Sequence, residues 1–306
     1  IPEPENLPFH EDFIEDLRQQ KAKGRKLVLI TASHEKIAKK MGDHLDLFDK
    51  AIGSNIGLNV RGKYKQRHLT ELYGEKGFDY AGDSKPDLHV WRTARRAILV
   101  HPKQGVTARA KKIAEIEKIF PRDKAGIKTY LKQIRVYQWI KNILIFLPLL
   151  MAHRISQPEL FFDAFIAFFS FSFTASFVYV INDLVDLPSD RRHPRKRLRP
   201  LASGKIPIVY GALMAPVLLI IGVGLSLLFL SYEFLYILLS YLIITFLYSF
   251  LLKKLYIIDI IILSILYTLR LIAGAVAVDV PLSQWLMEFS VFFFLSLAIN
   301  KRFTEL

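Results

Sequence analysis

The 306-residue sequence contains no cysteine, which excludes a disulfide framework and any thiolate metal site. Residues 1–30 also lack an apolar run behind a basic start, so they do not resemble a signal peptide. We therefore expect the N-terminal region to stay on the side of the membrane where the chain is made. The sequence begins at Ile1 without a methionine and stops at Leu306 just after an apolar run, which predicts truncation at both ends.

Acidic residues are scarce relative to basic ones. There are 42 Lys and Arg against 28 Asp and Glu, a net charge of +14. Nucleic-acid-binding proteins can share such a balance, but here the basic residues lie beside long apolar runs and not along one soluble face. This distribution favours a membrane protein that obeys the positive-inside rule, and we expect no nucleic-acid partner.

The composition changes along the chain and predicts a multi-domain protein. Residues 1–102 alternate short apolar strands with helices, which predicts an α/β domain of Rossmann-like type. The charged residues 103–128 are predicted to form a linker. Residues 129–306, rich in Leu, Ile and Phe, are predicted to form an all-α polytopic membrane bundle.

Apolar stretches dominate the second half of the chain. Six of them lie near 142–152, 161–181, 206–230, 234–252, 255–278 and 285–299. Four are about 20 residues or longer, enough to cross a hydrocarbon core of ~30 Å. Basic residues occur in alternate loops, with none at 231–233 or 279–284. We therefore predict six spans in the inner cell membrane, with the N-terminal domain and the basic loops in the cytoplasm.

Acidic residues cluster where the second apolar stretch ends. Asn182, Asp183, Asp186 and Asp190 are spaced so that a helix would place most of their oxygens on one face, although Pro188 is expected to bend it. Carboxylates this close repel one another unless a cation lies between them, and Mg²⁺ prefers oxygen ligands that it shares with substrate phosphates. We predict that the three aspartates bind Mg²⁺. A solvated loop would explain the neighbouring basic residues but not carboxylates at the end of an apolar span.

Basic residues follow these acids at once. Arg makes planar, bidentate contacts with phosphate, so a diphosphate-bearing donor is expected beside the Mg²⁺ site. The predicted contacts are Asn182, Arg191, His193, Lys196 and Arg199.

Further polar residues lie inside or beside the apolar stretches. Lys141 and Asn142 are predicted either to reach a phosphate or to extend to the membrane interface. Arg270 lies within a span, where a charge is costly and usually functional. The alternative for Arg270 is a structural ion pair with Asp259 or Asp279.

The pattern NDxxDxxxD at 182–190 resembles the first aspartate-rich motif of the UbiA prenyltransferase superfamily. DRxHPxKxxRPxASG at 190–204 resembles the branch that contains decaprenyl-phosphate phosphoribosyltransferases. Supporting similarities are QWIKN at 138–142, YS at 248–249 with Lys253 before Asp259, and RLIAG at 270–274. The resemblance covers about 130–306 and implies about nine helices around a cavity open to lipid, of which six are expected here.

The superfamily's second polar motif follows the sixth helix and is aspartate-rich in many relatives. Here the chain reads NKRFTE at 300–305. This departure favours a site with fewer carboxylates and more cations, closed on its far side by Lys301, Arg302 and Glu305. The resemblance implies Mg²⁺-dependent transfer of phosphoribose from phosphoribosyl diphosphate to a polyprenyl phosphate. Two alternatives remain: prenyl transfer from a prenyl diphosphate to an aromatic or other acceptor, and a non-catalytic lipid-binding scaffold.

The N-terminal region carries a second resemblance. Thr31 follows the strand KLVLI, Lys65 lies in the stretch GKYK, and Asp83 and Asp87 lie in GDSKPD. This order resembles haloacid dehalogenase-type phosphatases, in which such residues hold phosphate and Mg²⁺. The DxDxT motif with the nucleophilic aspartate is missing from residues 1–30, so we expect no phosphatase activity from this chain. The alternative is a plain α/β domain with vestigial motifs.

Overall fold

The computed structural model describes residues 3–57, 59–121, 125–252 and 256–305, without the side chains of 256, 257, 301, 302 and 305. The chain divides into two compact units, Ile1–Lys124 and Ala125–Leu306. Helices account for 65% of the structure.

The first unit combines short helices with short strands. Its helices are α1 (Glu11–Ala22), α2 (Glu35–Leu45), α3 (Lys63–Tyr73), α4 (Asp87–Thr93) and α5 (Val106–Ala110). Its strands are β1 (Val28–His34), β2 (Lys50–Ser54), β3 (Tyr80–Gly82), β4 (Ala97–Val100) and β5 (Ile116–Phe120).

These strands form two small parallel sheets, β1–β2 and β3–β4–β5. The expected fold, one Rossmann-like sheet of haloacid dehalogenase type, is therefore wrong. The inner strands of such a sheet are covered on both faces, whereas no residue of β1 is fully buried and its last three residues are exposed. The main apolar cluster instead surrounds Trp91, Val90 and Leu99, next to the three-stranded sheet. The segment 103–128, expected to be a linker, contributes α5 and β5 to this unit.

The second unit is helical. It contains α6 (Ile127–Gln133), a 3₁₀ segment (Val136–Phe146), α7 (Leu147–Met151), α8 (Pro158–Val185), α9 (Leu187–Arg192), α10 (Ile208–Phe229), α11 (Tyr232–Phe250), α12 (Tyr256–Ala277) and α13 (Gln284–Glu305). Another 3₁₀ turn covers Lys196–Leu198.

Four helices are long and apolar enough to cross a membrane: α8, α10, α11 and Ile258–Ala277 of α12. A fifth span is possible if Ile127–Gln133 and Val136–Met151, which meet at 58°, count as one. In α13 the apolar part, Gln284–Asn300, is shorter. The prediction of six spans is therefore wrong for the described residues, because the first predicted stretch is a bent pair and the last is short.

Helix α8 is the central helix of this unit. In its apolar window 61% of residues are buried, against 22% in α10 and in α11. Its Ser170 donates a hydrogen bond to the Gly222 carbonyl of α10 (2.7 Å). A Cβ at Gly222 would lie 2.4 Å from the Thr174 hydroxyl. Small residues thus let the α8 and α10 backbones approach closely, as in many membrane helix pairs.

Candidate active site

The acidic motif lies at the junction of α8 and α9. Helix α8 ends at Val185, and α9 begins at Leu187 with Pro188 as its second residue, which confirms the predicted break. Asp183 and Asp190 are almost fully buried, with 3% and 2% exposure. Asp186 lies between the two helices and is half-buried, and no hydrogen bond to its side chain occurs within the described ranges.

One guanidinium joins the two buried carboxylates. Arg199 Nη1 lies 2.6 Å from Asp190 Oδ2 and 3.1 Å from Asp183 Oδ1. Asp183 Oδ1 also accepts from Arg135 Nη2 at 2.6 Å, and its Oδ2 accepts from Gln133 Nε2 at 2.9 Å. The site thus contains two carboxylates and two guanidiniums in contact, a charge-assisted network that burial strengthens.

Gln133 and Arg135 reach this site from the start of the unit, and sequence reasoning missed both. Gln133, in α6, is fully buried, and its Oε1 has no hydrogen-bond partner among the described residues. Arg135 has left-handed backbone angles (φ 54°, ψ 47°), which cost about 1–3 kcal/mol in a residue other than glycine. Its guanidinium lies 4.6 Å from the centre of the Tyr179 ring. The available signal was their position: both polar residues directly precede the first apolar stretch.

Polar contacts continue from this site along α8. Trp139 Nε1 donates to Ser176 Oγ (3.0 Å), and Asn142 Nδ2 donates to Ser172 Oγ (2.9 Å). These contacts tie the 3₁₀ segment to α8. Asn182 Nδ2 donates to Ser249 Oγ of α11 at 3.0 Å, so it fastens α8 to α11 at the level of the acids.

Arg270 lies deeper in the same unit and is 5% exposed. Its Nε donates to Asn142 Oδ1 (2.8 Å), its Nη2 donates to Tyr241 OH (3.2 Å), and its Nη1 donates to the Leu266 carbonyl. The guanidinium carbon lies 5.1 Å and 5.3 Å from the Tyr241 and Tyr267 ring centres. In the part of the chain that the structure describes, Arg270 forms no ion pair, so the alternative of a structural pair with Asp259 or Asp279 is not seen.

Three other predicted phosphate-binding residues have no described contact with Asp183 or Arg199. Arg191 Nε donates to the Ala202 carbonyl (3.2 Å), and burial lowers its pKa. His193 Nδ1 accepts from the backbone N–H groups of Arg195 and Lys196, so it caps the following turn. Lys196 is exposed.

The remaining residues predicted to bind substrate are Lys141, Lys253, Lys301, Arg302 and Glu305. Lys141 Nζ lies 5.9 Å from the centre of the Tyr267 ring. Lys253 lies outside the described residues, as do the side chains of Lys301, Arg302 and Glu305.

The oxygen atoms around the predicted Mg²⁺ site show whether its residues suit the ion. The described residues contain no group of three or more His, Asp and Glu side chains arranged to hold a metal. Arg199 instead contacts Asp183 and Asp190 together. The ligand atoms nevertheless suit a hard cation, since no described residue donates a hydrogen bond to the Asp186 carboxylate or to Gln133 Oε1. The Mg²⁺ site stays a prediction.

In the first unit, Lys65 and Asp87 meet through a tyrosine. Lys65 Nζ lies 2.9 Å from Tyr80 OH, which donates to Asp87 Oδ1 (2.8 Å). Asp87 Oδ2 accepts from the backbone N–H of Asp83 (3.1 Å). Burial lowers the pKa of Lys65, while burial and then Asp87 raise the pKa of Tyr80. Thr31 Oγ1 accepts from a nearby backbone N–H in β1. The Lys65–Tyr80–Asp87 contacts tie α3, β3 and α4 together.

Sequence comparison identifies the second unit. A model of the UbiA prenyltransferase family matches residues 143–302, more than half of the chain. The chain belongs to this family. With four apolar helices, it is a multi-pass membrane protein. The family match includes Asp183, Asp190, Arg199 and Arg270, whereas Gln133, Arg135 and Asn142 lie just ahead of it.

Two curated relatives are similar to this chain over longer segments than the family model. Protein y4nM of Sinorhizobium fredii is 37% identical over 304 residues, 99% of this chain and 58% of that protein. The decaprenyl-phosphate phosphoribosyltransferase of Corynebacterium glutamicum is 36% identical over 179 residues, 58% of this chain and 54% of that protein. The chain thus spans little more than half the length of either relative.

A solved structure is also similar, that of a UbiA homologue from Archaeoglobus fulgidus bound to DMAPP and Mg²⁺. It shows 20% identity and a TM-score of 0.47, and the similarity covers 57% of this chain and 62% of that chain.

Proposed function

We propose that the protein is a Mg²⁺-dependent transferase that moves phosphoribose from phosphoribosyl diphosphate to a polyprenyl phosphate in the inner membrane. The observation that carries the proposal is the meeting of two buried carboxylates, Asp183 and Asp190, with two guanidiniums at one end of a membrane helix. The similarity to the Corynebacterium glutamicum phosphoribosyltransferase supports this choice of substrates.

The proposed donor site uses the mixed charges of this network. Arg135 and Arg199 are the cations that would bind the donor's diphosphate, because a guanidinium matches two phosphate oxygens at once. Asp183, Asp186 and Asp190, with Gln133 Oε1, are the oxygens that would hold Mg²⁺. When bound, Mg²⁺ supplies charge stabilisation for the leaving diphosphate. The basic residues 191–205 lie at the same end of α8, and by the positive-inside rule this end faces the cytoplasm.

The proposed transfer exchanges one bond at the ribose for another. The bond from ribose C1 to the diphosphate oxygen breaks, and the diphosphate leaves with the electron pair. A phosphate oxygen of the lipid forms the new bond to C1, which has oxocarbenium-like character during the exchange, as in glycosyl transfer. The lipid phosphate is already an anion, so it needs no general base.

Prenyl transfer is the second candidate, because the family that the chain matches is named for it. A prenyl diphosphate would use the same diphosphate site, so Asp183 and Asp186 cannot distinguish the two reactions. The donor that is consumed distinguishes them.

The decisive experiment uses the full-length protein in lipid nanodiscs with Mg²⁺, labelled phosphoribosyl diphosphate and polyprenyl phosphate. We expect a labelled lipid, and we expect Asp183→Asn to lower its rate of formation by at least about a hundredfold, the scale for losing an electrostatic contact to the transition state. Asp163→Asn is the matched control, because Asp163 lies on α8 twenty residues from the site. Folded protein that forms no labelled lipid would refute the proposal. Consumption of a prenyl diphosphate instead would establish the second candidate.

A further inference from the structure

We infer that Arg270 binds the phosphate of the acceptor lipid. This inference rests on the proposed function and adds a second anion site to it. Arg270 is a buried cation whose hydrogen-bond partners, Asn142, Tyr241 and the Leu266 carbonyl, are all neutral. No carboxylate forms an ion pair with it anywhere in the described residues.

The charge of Arg270 is therefore uncompensated in an apolar setting. The Tyr241 and Tyr267 rings attract the guanidinium, but cation–π contacts offset only part of the cost of burying a charge. A guanidinium has five N–H groups, and its three described hydrogen bonds leave one N–H on each terminal nitrogen. Two N–H groups on one planar fork suit two oxygens of a phosphate.

The position of Arg270 suits a second substrate. Its partner Tyr241 lies eight residues before Ser249 on α11, so about 12 Å along the helix axis from the contact between Ser249 and Asn182. Tyr179 connects the level of the acidic site with the level of Arg270. It contacts Arg135 of the acidic site, and it also packs on the apolar cluster that contains Tyr241. A ribosyl group and its phosphates can bridge such a separation.

The surroundings favour an anion with an apolar tail. Ile145, Phe171 and Leu266 belong to the buried cluster around Tyr241, so a ligand that reaches Arg270 enters an apolar interior. Arg270 is not the sole contact between α12 and the 3₁₀ segment, because their backbones also approach closely at Gly274. A Cβ at Gly274 would lie 2.1 Å from the Ile145 carbonyl oxygen.

The test measures lipid binding without donor or Mg²⁺. Full-length protein in nanodiscs is titrated with polyprenyl phosphate and with polyprenol of the same length. We expect the wild type to prefer the phosphate by about ten- to a hundredfold, the range for a hydrogen bond between charged groups. Arg270→Gln should abolish this preference, and Arg270→Lys should retain part of it. Arg154→Gln, which changes an exposed arginine between α7 and α8, should retain all of it.

Two results would overturn the inference: equal binding of both lipids by the wild type, or a full phosphate preference in Arg270→Gln with an unchanged unfolding midpoint. If Arg270→Gln does not fold, Arg270→Lys decides, and an unchanged preference in that variant rejects the inference. Inorganic phosphate that competes as well as the lipid phosphate would also reject it. Binding of phosphoribosyl diphosphate with Mg²⁺ is measured separately. If the protein does not bind this donor, the lipid-binding measurement still tests the role of Arg270.

Discussion

Replacement of Arg199 by methionine tests the central contact of the site. Methionine retains much of the side-chain volume but removes the charge that joins Asp183 and Asp190. Asp183 keeps Arg135 and Gln133, whereas Asp190 loses its one described side-chain partner while 2% exposed. Removing one partner of a buried ion pair leaves the other charge unpaired and costs about 3–5 kcal/mol. Because the Arg199 side chain is 29% exposed, water can reach the site, and we expect about 3 kcal/mol.

The assay is chemical unfolding of the full-length protein in mixed micelles, read as a free energy of unfolding. The double variant Arg199→Met with Asp190→Asn should recover part of the loss, since it removes the stranded carboxylate. Arg192→Met is the matched control, because Arg192 is exposed and we expect a change within about 0.5 kcal/mol. The reasoning fails if Arg199→Met and the control have equal effects, or if Asp190→Asn costs the same in both backgrounds. Added Mg²⁺ should stabilise Arg199→Met more than the wild type if the aspartates bind the ion.

Three further predictions concern stability. Hydrogen bonds from Arg95 hold the pKa of Asp79 below its usual value of about 3.9, so this stabilisation is present above about pH 4 and is lost as the pH falls through the folded-state pKa. Asp79→Asn should therefore raise hydrogen exchange in β3 and β4 at pH 7, and the difference from wild type should shrink as the pH falls through the folded-state pKa of Asp79; a difference that does not change with pH would contradict this. Gly274→Ala should lower the free energy of unfolding by about 1–3 kcal/mol, because its Cβ would meet the Ile145 carbonyl; no change would show that α12 can shift. Ser231→Ala should cost about 1 kcal/mol by removing the N-cap of α11, measured by the same unfolding assay, whereas Ser240→Ala on the same helix should cost less.

Local chemistry in the sequence indicated where acidic and basic side chains would meet, whereas their roles in binding Mg²⁺ and phosphate stay predictions. Asp183 and Asp190 were expected to lie together at the end of the second apolar stretch, and Arg199 was expected beside them. Proline chemistry also predicted the break between α8 and α9. These predictions concern residues close in sequence, where helix geometry fixes which side chains can meet.

Contacts between distant residues could not be predicted in this way. Arg135 contacts Asp183, and its own backbone adopts a left-handed conformation, which no composition pattern indicates in a residue other than glycine. The strands of the first unit were predicted individually, but their division into two sheets depends on which faces are covered, and β1 is not buried. Arg270 was recognised as costly, yet its neutral partners come from three different elements and only the fold assembles them.

The close approach of α8 and α10 has a mechanical consequence for the segment between them. Residues 186–207 leave one of these helices and return to the other, and Leu201 is fully buried against Gly211 near the return point. The Ser170–Gly222 hydrogen bond and the close packing at Gly222 hold the two helices together, so the segment has both ends attached to one packed helix pair. We therefore expect the segment to close around the proposed donor by local rearrangement of its arginines and lysines, without a change in the spacing of α8 and α10.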